Sequence, residues 1–257
     1  MKILSQMIVS NPELLAIQNS EVVPQLTLDC VIFGFHAGQL KVLLVKWKGT
    51  SFWSLPGGVV RQSESLNDAA TRILTQRTGL VDIFLRQFYT FGDSNRYDKE
   101  SVSEKLASVV PKHMWYDRAI SVGYYALVNY AQVFPTPDEM SDSCEWRGLD
   151  ELPELLFDHS EILKTALDYL RKEIAHQPVG LNLLPLKFTM PEMMRMYEAI
   201  LGRKIDPRNF QKKILKSGIV IKSKEVKKGT AHRSPFFYYF DNKKYGEVLQ
   251  SGSLFFI

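Results

Sequence analysis

The sequence has few of the features that mark secreted, membrane-spanning or metal-binding proteins. Cys30 and Cys144 are its only cysteines, and their spacing matches no metal site. No run of 18 apolar residues occurs, and the first 20 residues lack the basic start, compact apolar stretch and cleavage site of a signal peptide. Two isolated thiols are typical of a reducing compartment, so we expect a cytoplasmic protein without a membrane span.

The chain is nevertheless rich in apolar residues. Of its 257 residues, 45% are hydrophobic and 12% are aromatic, whereas disordered chains are poor in both classes. A chain of this length forms one large domain or two ordinary ones, with ample residues for a core. Disorder is therefore excluded as the main state.

The net charge of +4 is distributed unevenly along the chain. Residues 185–257 have 15 Lys and Arg against 6 Asp and Glu, a net charge of +9, whereas residues 1–184 have 17 against 22, a net charge of −5. A strongly basic terminal region indicates a polyanionic partner, unless the lysines only keep a small domain in solution. The arrangement of these charges has to decide between the two explanations.

Apolar and β-branched runs predict strands in the first part of the chain. These runs lie at 28–35, 40–45, 83–91 and 119–130, with a short one at 52–55 that Pro56 ends. A short loop at 36–39 joins the first two into a predicted hairpin. The residues at 92–117 are polar and unpatterned, which predicts a long surface loop.

Helical spacing of apolar residues predicts two helices beside these strands. The first runs through Leu66 and Leu74, with Ser65 as its cap and Gly79 as its end. The second follows Ser160, which we expect to be its N-cap. We therefore predict a mixed sheet with helices, followed by a domain boundary near residue 178.

The basic part of the chain has the element order of a winged helix-turn-helix. Helices are predicted at 191–201 and 207–217, with Asp206 as cap and Pro207 in the first turn of the second one. Two predicted strands follow at 219–222 and 236–240, joined by a basic hairpin tip. The predicted fold class is thus α+β.

Gly58, Glu64, Arg72, Gly79 and Leu80 have the spacing of a known motif. The pattern resembles the Nudix box, in which Gly is followed after five residues by Glu and after seven more by Arg, and which ends in Gly and an apolar residue. The preceding 53–58 segment is also similar to that family, and the resemblance covers roughly residues 27–158. It implies a Nudix fold, an α/β/α sandwich with a mixed sheet.

The box lacks the carboxylates that its chemistry requires. Nudix hydrolases hold a divalent metal on acidic residues of the box helix, and the metal activates water. Those positions are Ile73, Gln76 and Arg77 here, and Arg77 puts a positive charge where the metal would be. We therefore expect no hydrolysis of nucleoside diphosphate derivatives, no bound metal and no cofactor. Glu64 is either a residual metal ligand or, as we favour, a hydrogen-bond partner of the loop.

Nearly the whole chain resembles the Nudix-related transcriptional regulators, a group with an NAD-metabolism branch and an arabinose-responsive branch. The similar segments are 117–127, 155–159, 183–185, 196–200 and 206–210, and residues 94–116 look like an insertion. The resemblance implies a ligand-responsive regulator with an inactive Nudix sensor domain. The alternative is a Nudix hydrolase acting on ADP-ribose-like compounds through an atypical metal site.

The resemblance also implies an effector and a domain plan. The NAD branch implies ADP-ribose or a relative, and the arabinose branch implies a free pentose. Arginines suit phosphates but are equally good partners in structural ion pairs. Aromatic rings suit a base or sugar, although an aromatic residue in a sheet is more often part of the core. The candidate ligand-binding residues are Phe33, Trp53, Glu64, Arg72, Arg77 and Arg118. The predicted domains are an N-terminal arm at 1–24, a Nudix-like effector-binding domain at 25–178 and a winged helix DNA-binding domain at 181–257.

The second helix of the winged helix is predicted to read a double-stranded DNA operator. Its cations and its Asn share an arc of about 140° at 100° per residue, whereas Phe210, Ile214 and Leu215 point towards the core. Residues near the helix N-terminus are expected to reach base edges, and those further along and on the wing to contact phosphates. The predicted DNA-binding residues are Arg208, Asn209, Lys212, Lys213, Lys216, Lys227, Lys228 and Arg233. Paired half-sites predict a homodimer, to which the apolar N-terminal arm contributes unless it packs on its own chain.

Overall fold

The computed structural model of the protein describes residues 25–107, 118–176, 181–227 and 234–251. These residues form an α/β/α sandwich followed by a winged helix, so the predicted α+β fold is confirmed. The predicted N-terminal arm and the predicted domain boundary near residue 178 lie outside the described ranges. Among the helices within those ranges, none is both long and apolar enough to cross a membrane.

A seven-stranded mixed sheet forms the centre of the first domain. Its strands are β1 (Gln25–His36), β2 (Gln39–Trp47), β3 (Trp53–Ser54), β4 (Gly57–Val59), β5 (Arg86–Phe91), β6 (Ala119–Val128) and β7 (Ser141–Gly148). The strand order is β3-β2-β1-β6-β5, with β4 also paired to β1 and β7 to β2. The β1–β6 pair is parallel and the other pairs are antiparallel.

The hairpin between β1 and β2 confirms the predicted turn. Ala37 and Gly38 form it with φ angles of 50° and 83°. Two successive residues with positive φ give a turn whose twist matches that of the flanking strands. The register Phe35 with Leu40 and Phe33 with Val42 then places apolar residues opposite each other.

Alternation along β1 builds a core on each face of the sheet. Leu28, Cys30 and Ile32 pack with helix α1 (Leu66–Thr78) on one face. Val31 and Phe33 pack with helix α3 (His159–His176) on the other. Ser65 caps α1 by accepting from the backbone N–H of Asp68, and Gly79 ends it at φ 70°, as predicted.

The winged helix has a three-stranded sheet in the order β8-β10-β9 and three helices. Its elements are β8 (Phe188–Thr189), α4 (Met190–Leu201), α5 (Pro207–Ser217), β9 (Val220–Val226), β10 (Phe236–Phe240) and α6 (Asn242–Ser251). Asp206 caps α5 through the backbone N–H of Asn209, and Gly218 ends it. Thr189 and Glu192 form a capping box on α4, which the sequence reasoning missed.

The two domains share one hydrophobic core. Buried side chains of α3, including Leu170 and Ile174, belong to the same cluster as Met196 and Ile200 of α4 and Phe210 of α5. The winged helix is therefore packed on the α3 face of the sandwich.

Several local predictions were wrong. The described part of the predicted surface loop at 92–117 contains helix α2 (Lys99–Lys105), which Asp98 caps and which buries Val102 against Leu156. Ser160 is not an N-cap, because α3 begins at His159 and the carbonyl of Asp158 accepts from the N–H groups of residues 161 and 162.

Leu215 does not face the core. Phe210 and Ile214 are buried as predicted, whereas Leu215 is 43% exposed. It lies about 140° around the helix from Phe210, which places it at the edge of the buried face. Strands β4, β7 and β8 and helix α6 were not predicted at all.

Candidate functional site

A cavity of about 210 Å³ opens beside β1, where β3, β4, the end of α1 and the first turn of α3 meet. Polar, charged and aromatic side chains share its lining. These side chains include Asp29, Trp47, Arg77, Arg96, Tyr97, Phe157 and His159.

Asp29 is a buried acid at the base of this cavity. Its carboxylate accepts hydrogen bonds from Ser121 Oγ at 2.5 Å and faces His159 Nε2 at 3.2 Å. Burial alone raises the pKa of Asp29, but His159, the Ser121 hydroxyl and the charge of Arg96 outweigh it, so the pKa lies below the ordinary value. The lowered pKa favours the ionised carboxylate, so Asp29 is a hydrogen-bond acceptor in the lining of the cavity.

The ring of His159 has a defined orientation. Its Nδ1 accepts from the backbone N–H of Leu55 at 2.9 Å, so the proton of the neutral ring is on Nε2, facing Asp29. This arrangement ties β1, the turn after β3 and the start of α3 to one another.

Gly57 allows the carboxylate of Asp29 to lie against the backbone of β4. A Cβ atom at this position would be 2.3 Å from Asp29 Oδ1 and 3.0 Å from the carbonyl oxygen of Leu28. The second glycine of the pair, Gly58, faces the side chain of Ile73, with a nearest distance of 3.3 Å. The glycine pair at the start of the box therefore has a packing reason at both positions.

Arg96 anchors the segment that looks like an insertion. Its Nε and Nη2 donate to the two oxygens of Asp158, each at 2.7 Å, and both side chains are less than 10% exposed. Tyr97 and Phe157 lie edge to face beside it, 5.3 Å between ring centroids. Phe157 has a φ of 59°, an unusual conformation for a non-glycine residue, of the kind that clusters at ligand-binding sites.

Arg77 occupies a metal-ligand position of the box. Its Nη1 donates to Asp138 at 2.5 Å, and its guanidinium lies 5.3 Å from the centroid of the Trp47 ring. At the other two positions, Ile73 is buried and Gln76 accepts a hydrogen bond from Arg72. These residues do not fit a divalent cation, because none of them offers a carboxylate and Asp138 is already paired.

Glu64 and Arg72 hold the box loop together. Arg72 donates to both oxygens of Glu64, at 2.8 and 2.5 Å, and to the carbonyl of Val59 at 2.9 Å. The hydrogen bond from Arg72 lowers the pKa of Glu64 to about 2. The structural role favoured for Glu64 is thus observed. Among the described residues, no group of three His, Cys, Asp or Glu side chains is arranged to hold a metal ion.

Of the six ligand-binding candidates from the sequence, only Arg77 lines the cavity. Phe33 is fully buried in the core, and Trp53 is 8% exposed beneath the guanidinium of Arg147. Glu64 and Arg72 pair with each other, and Arg118 donates to the carbonyl of Gly92. Phe33 lies four residues further along β1 than Asp29, where the strand belongs to the core packed with α3 and not to the cavity.

Sequence reasoning missed the polar residues that build the cavity. Asp29 interrupts an apolar strand, and an acid at a predicted core position is a signal of function. His159 belongs to a segment already similar to the regulators. Arg96 and Tyr97 carry no sequence signal of their own.

The predicted DNA-reading face is exposed in the structure. Arg208, Asn209, Lys212, Lys213 and Lys216 all point to solvent on α5. Within the described residues none of these cations forms an ion pair, and the two acids that could pair with Arg208 in place of DNA, Glu198 and Asp206, are engaged elsewhere. Glu198 binds Lys204 and the backbone of Ile205, while Asp206 caps the helix.

The wing is only partly described. Lys227 is paired with Glu192 at 2.6 Å, so a phosphate has to compete with this carboxylate. Lys224 is exposed, and Lys228 and Arg233 lie outside the described residues. The basic face of α5 is thus the better defined part of the predicted interface.

Comparisons with known proteins agree with both domains. A family model described as "NUDIX domain" matches residues 23–169, and one described as "NrtR DNA-binding winged helix domain" matches residues 180–240. An "ADPR responsive transcriptional repressor NtrR" from Acinetobacter baylyi is 28% identical over 211 residues, which cover 79% of this chain and 77% of the relative.

Solved structures are similar over both domains as well. Shewanella oneidensis NrtR has 26% identity and a TM-score of 0.64, with 86% of this chain and 96% of that chain covered. The same protein complexed with a 27mer DNA has 25% identity and the same TM-score, with 86% and 95% covered. The fold is also similar to a MutT/nudix family protein from Enterococcus faecalis, with 24% identity, a TM-score of 0.61, and 90% and 94% covered.

The family models, the order of the two domains and the exposed basic helix agree with the resemblance found in the sequence. The chain belongs to the Nudix family, and within it to the Nudix-related transcriptional regulators, in which a Nudix sensor domain precedes a DNA-binding winged helix.

Proposed function

We propose that the sensor domain binds an effector through a pentose ring in the cavity beside Asp29, and that it does so without hydrolysing the effector. ADP-ribose and free pentoses share this ring. The relative from Acinetobacter baylyi is described as ADPR-responsive, which supports the first source. The chemistry of the lining supports the ring as the part that enters.

The observation that carries this proposal is the pairing of charges around the cavity. Both arginines of the lining already have an aspartate partner, Arg77 with Asp138 and Arg96 with Asp158. Asp29 adds a buried acceptor with a lowered pKa. A ring with several hydroxyl donors satisfies such acceptors, whereas a phosphate here would face carboxylates and displace existing ion pairs.

Size and shape favour the same assignment. A cavity of about 210 Å³ is smaller than the roughly 300–1,000 Å³ typical of sites for drug-sized ligands. It suits one sugar ring, and the phosphates and adenine of ADP-ribose would extend outside it. Trp47, Tyr97 and Phe157 supply aromatic surface for the apolar faces of the ring.

A thermal-shift series with ADP-ribose, D-ribose, L-arabinose and D-xylose tests the proposal. A ligand at about 100 times its dissociation constant stabilises the folded state by roughly 2.7 kcal/mol. We expect at least one probe to raise the Tm of the wild type, and Asp29→Asn to abolish that rise. Lys105→Met is the matched control, because Lys105 pairs with Glu154 away from the lining. No shift with any probe would refute the proposed sensor.

Loss of catalysis has a separate test. Because Ile73, Gln76 and Arg77 offer no carboxylate, we expect turnover of ADP-ribose with Mg²⁺ to stay far below about 1 s⁻¹. We also expect binding of the probe to be unchanged by EDTA. Metal-dependent release of phosphate-containing products at ordinary enzyme rates would identify a hydrolase instead.

We further propose that the regulator acts in the cytoplasm as a homodimer on paired half-sites. Helix-turn-helix proteins commonly bind two half-sites related by a two-fold axis, and one α5 spans only about 16 Å. Light scattering at micromolar concentration should give twice the mass of the chain. A monomer mass that persists in the presence of a two-half-site duplex would overturn this proposal.

A further inference from the structure

Helix α3 begins in the cavity. His159 is its first residue and faces Asp29, while Asp158 directly before it binds Arg96 through both carboxylate oxygens. The backbone carbonyl of Asp158 accepts the first two hydrogen bonds of the helix, at 2.9 and 3.0 Å. Any ligand that contacts Arg96 or His159 therefore acts directly on the first turn of α3.

The same helix reaches the DNA-binding domain through Arg171. The Nε atom of Arg171 donates to the carbonyl of Ile200 at 2.9 Å, in the last turn of α4. Gly202 ends α4 at φ 68°, and a Cβ there would be 3.2 Å from Arg171 Nη2. A guanidinium on a terminal carbonyl satisfies a group without a helical partner and complements the helix dipole.

The end of α4 in turn positions α5. Five residues separate the two helices, and Glu198 in the last turn of α4 accepts from the backbone N–H of Ile205 at 3.0 Å. Tyr197 packs edge to face on Phe210 of α5, 5.2 Å between ring centroids. A displacement of the α4 C-terminus therefore also moves α5, the helix with the exposed cations.

We propose that α3 transmits the effect of a bound effector from the cavity to α5, and that Arg171 is the positioning residue that joins α3 to the DNA-binding domain. This inference rests on the proposed function, because it needs a ligand in the cavity. His159 and Arg171 are about 18 Å apart along a single helix. A helix packed in one continuous core moves as a unit, so a displacement of its first turn also displaces Arg171.

The test measures coupling rather than affinity alone. A duplex selected from a random library with the wild-type protein is titrated with and without ADP-ribose, D-ribose or L-arabinose. Allosteric coupling typically changes affinity by about 5- to 150-fold, and we expect a wild-type change in this range. Arg171→Met should reduce the change to less than about twofold, Arg171→Lys should retain part of it, and Lys172→Met on the exposed side of α3 should retain all of it.

Binding of the probe separates this role from a merely structural one. Arg171→Met should bind the probe with the affinity of the wild type, and by reciprocity that affinity should no longer depend on DNA. If Arg171→Met still responds as the wild type does, or if the wild type binds the probe without any change in DNA affinity, the inference is wrong. If no probe binds the wild type, the proposed function fails and this inference fails with it.

Hydrogen exchange on the wild type decides the matter if Arg171→Met does not fold. Addition of the probe should change the protection of amides in the first turn of α3 and also around Ile200 and Gly202. Changes in amide protection that are confined to residues around the cavity would overturn the inference.

Discussion

Replacing Arg96 with Met should be among the most damaging single changes to this protein. The bidentate contact with Asp158 is buried on both sides, since the side chains are 7% and 9% exposed. Removal of one partner of a buried ion pair leaves an unpaired charge and costs about 3–5 kcal/mol. At roughly 2–4 °C per kcal/mol for a chain of this size, the Tm should fall by about 6–20 °C.

A double-mutant cycle separates the pair from other effects of the substitution. In the double variant Arg96→Met with Asp158→Asn, no buried charge is left without a partner. It should therefore be more stable than Arg96→Met alone, because replacing both charges of a buried pair is often nearly neutral. Urea unfolding at constant m-value provides the free energies.

The same segment supplies a matched control. Lys105 pairs with Glu154 at 2.8 Å, but the two side chains are 33% and 75% exposed. Lys105→Met should therefore cost less than about 1 kcal/mol. If Lys105→Met and Arg96→Met lowered the free energy of unfolding equally, the buried pair would not be what holds this segment. The same conclusion would follow if the losses of Arg96→Met and Asp158→Asn simply added up in the double variant.

The parts of the fold that follow local rules were predictable from the sequence. Ser65 and Gly79 delimit α1, and Asp206 and Gly218 delimit α5, because capping depends only on residues within a turn of the helix end. The β1–β2 hairpin follows for the same reason, since its turn is two residues long.

The missed elements depend on distant partners. Strand β7 has the sequence SDSCEWRG, without a β-branched residue, and its pairing with β2 over residues 41–47 is what makes it a strand. Helix α2 has only short apolar periodicity and is held by Val102 against Leu156. In both cases tertiary contacts override weak local preference.

The residues that line the cavity could not be predicted from the sequence for a related reason. Arg96 and Asp158 are 62 residues apart, Arg77 and Asp138 are 61 apart, and the contact of His159 with Leu55 spans 104. The spacing of residues within a motif gives no indication of pairs so far apart in the sequence. The metal-ligand positions of the box involve no such distant pairs, because Ile73, Gln76 and Arg77 lie within about one turn of a single helix, and the absence of a metal there stays a prediction.

The DNA-reading helix, the glycine pair and Asp29 each have a measurable consequence. Arg208→Ala should cost about 1–3 kcal/mol on the selected duplex and little on random DNA, whereas Lys212→Met should weaken both and lower the log–log salt slope by about 1. If Arg208→Ala lost similar binding free energy on the selected duplex and on random DNA, a residue other than Arg208 would read the bases. Gly57→Ala should lower the urea midpoint far more than Gly58→Ala, given the contact of 2.3 Å against 3.3 Å. For Asp29, a pKa below the ordinary 3.8 in the folded state means that its contribution to stability is complete above that value and is lost as the pH falls through the folded pKa. The stability difference between the wild type and Asp29→Asn should therefore be constant from about pH 7 to 5 and shrink below about pH 4. A difference that grows on acidification would mean that Asp29 is protonated in the folded protein, and the assignment of a charged acceptor in the cavity would be wrong.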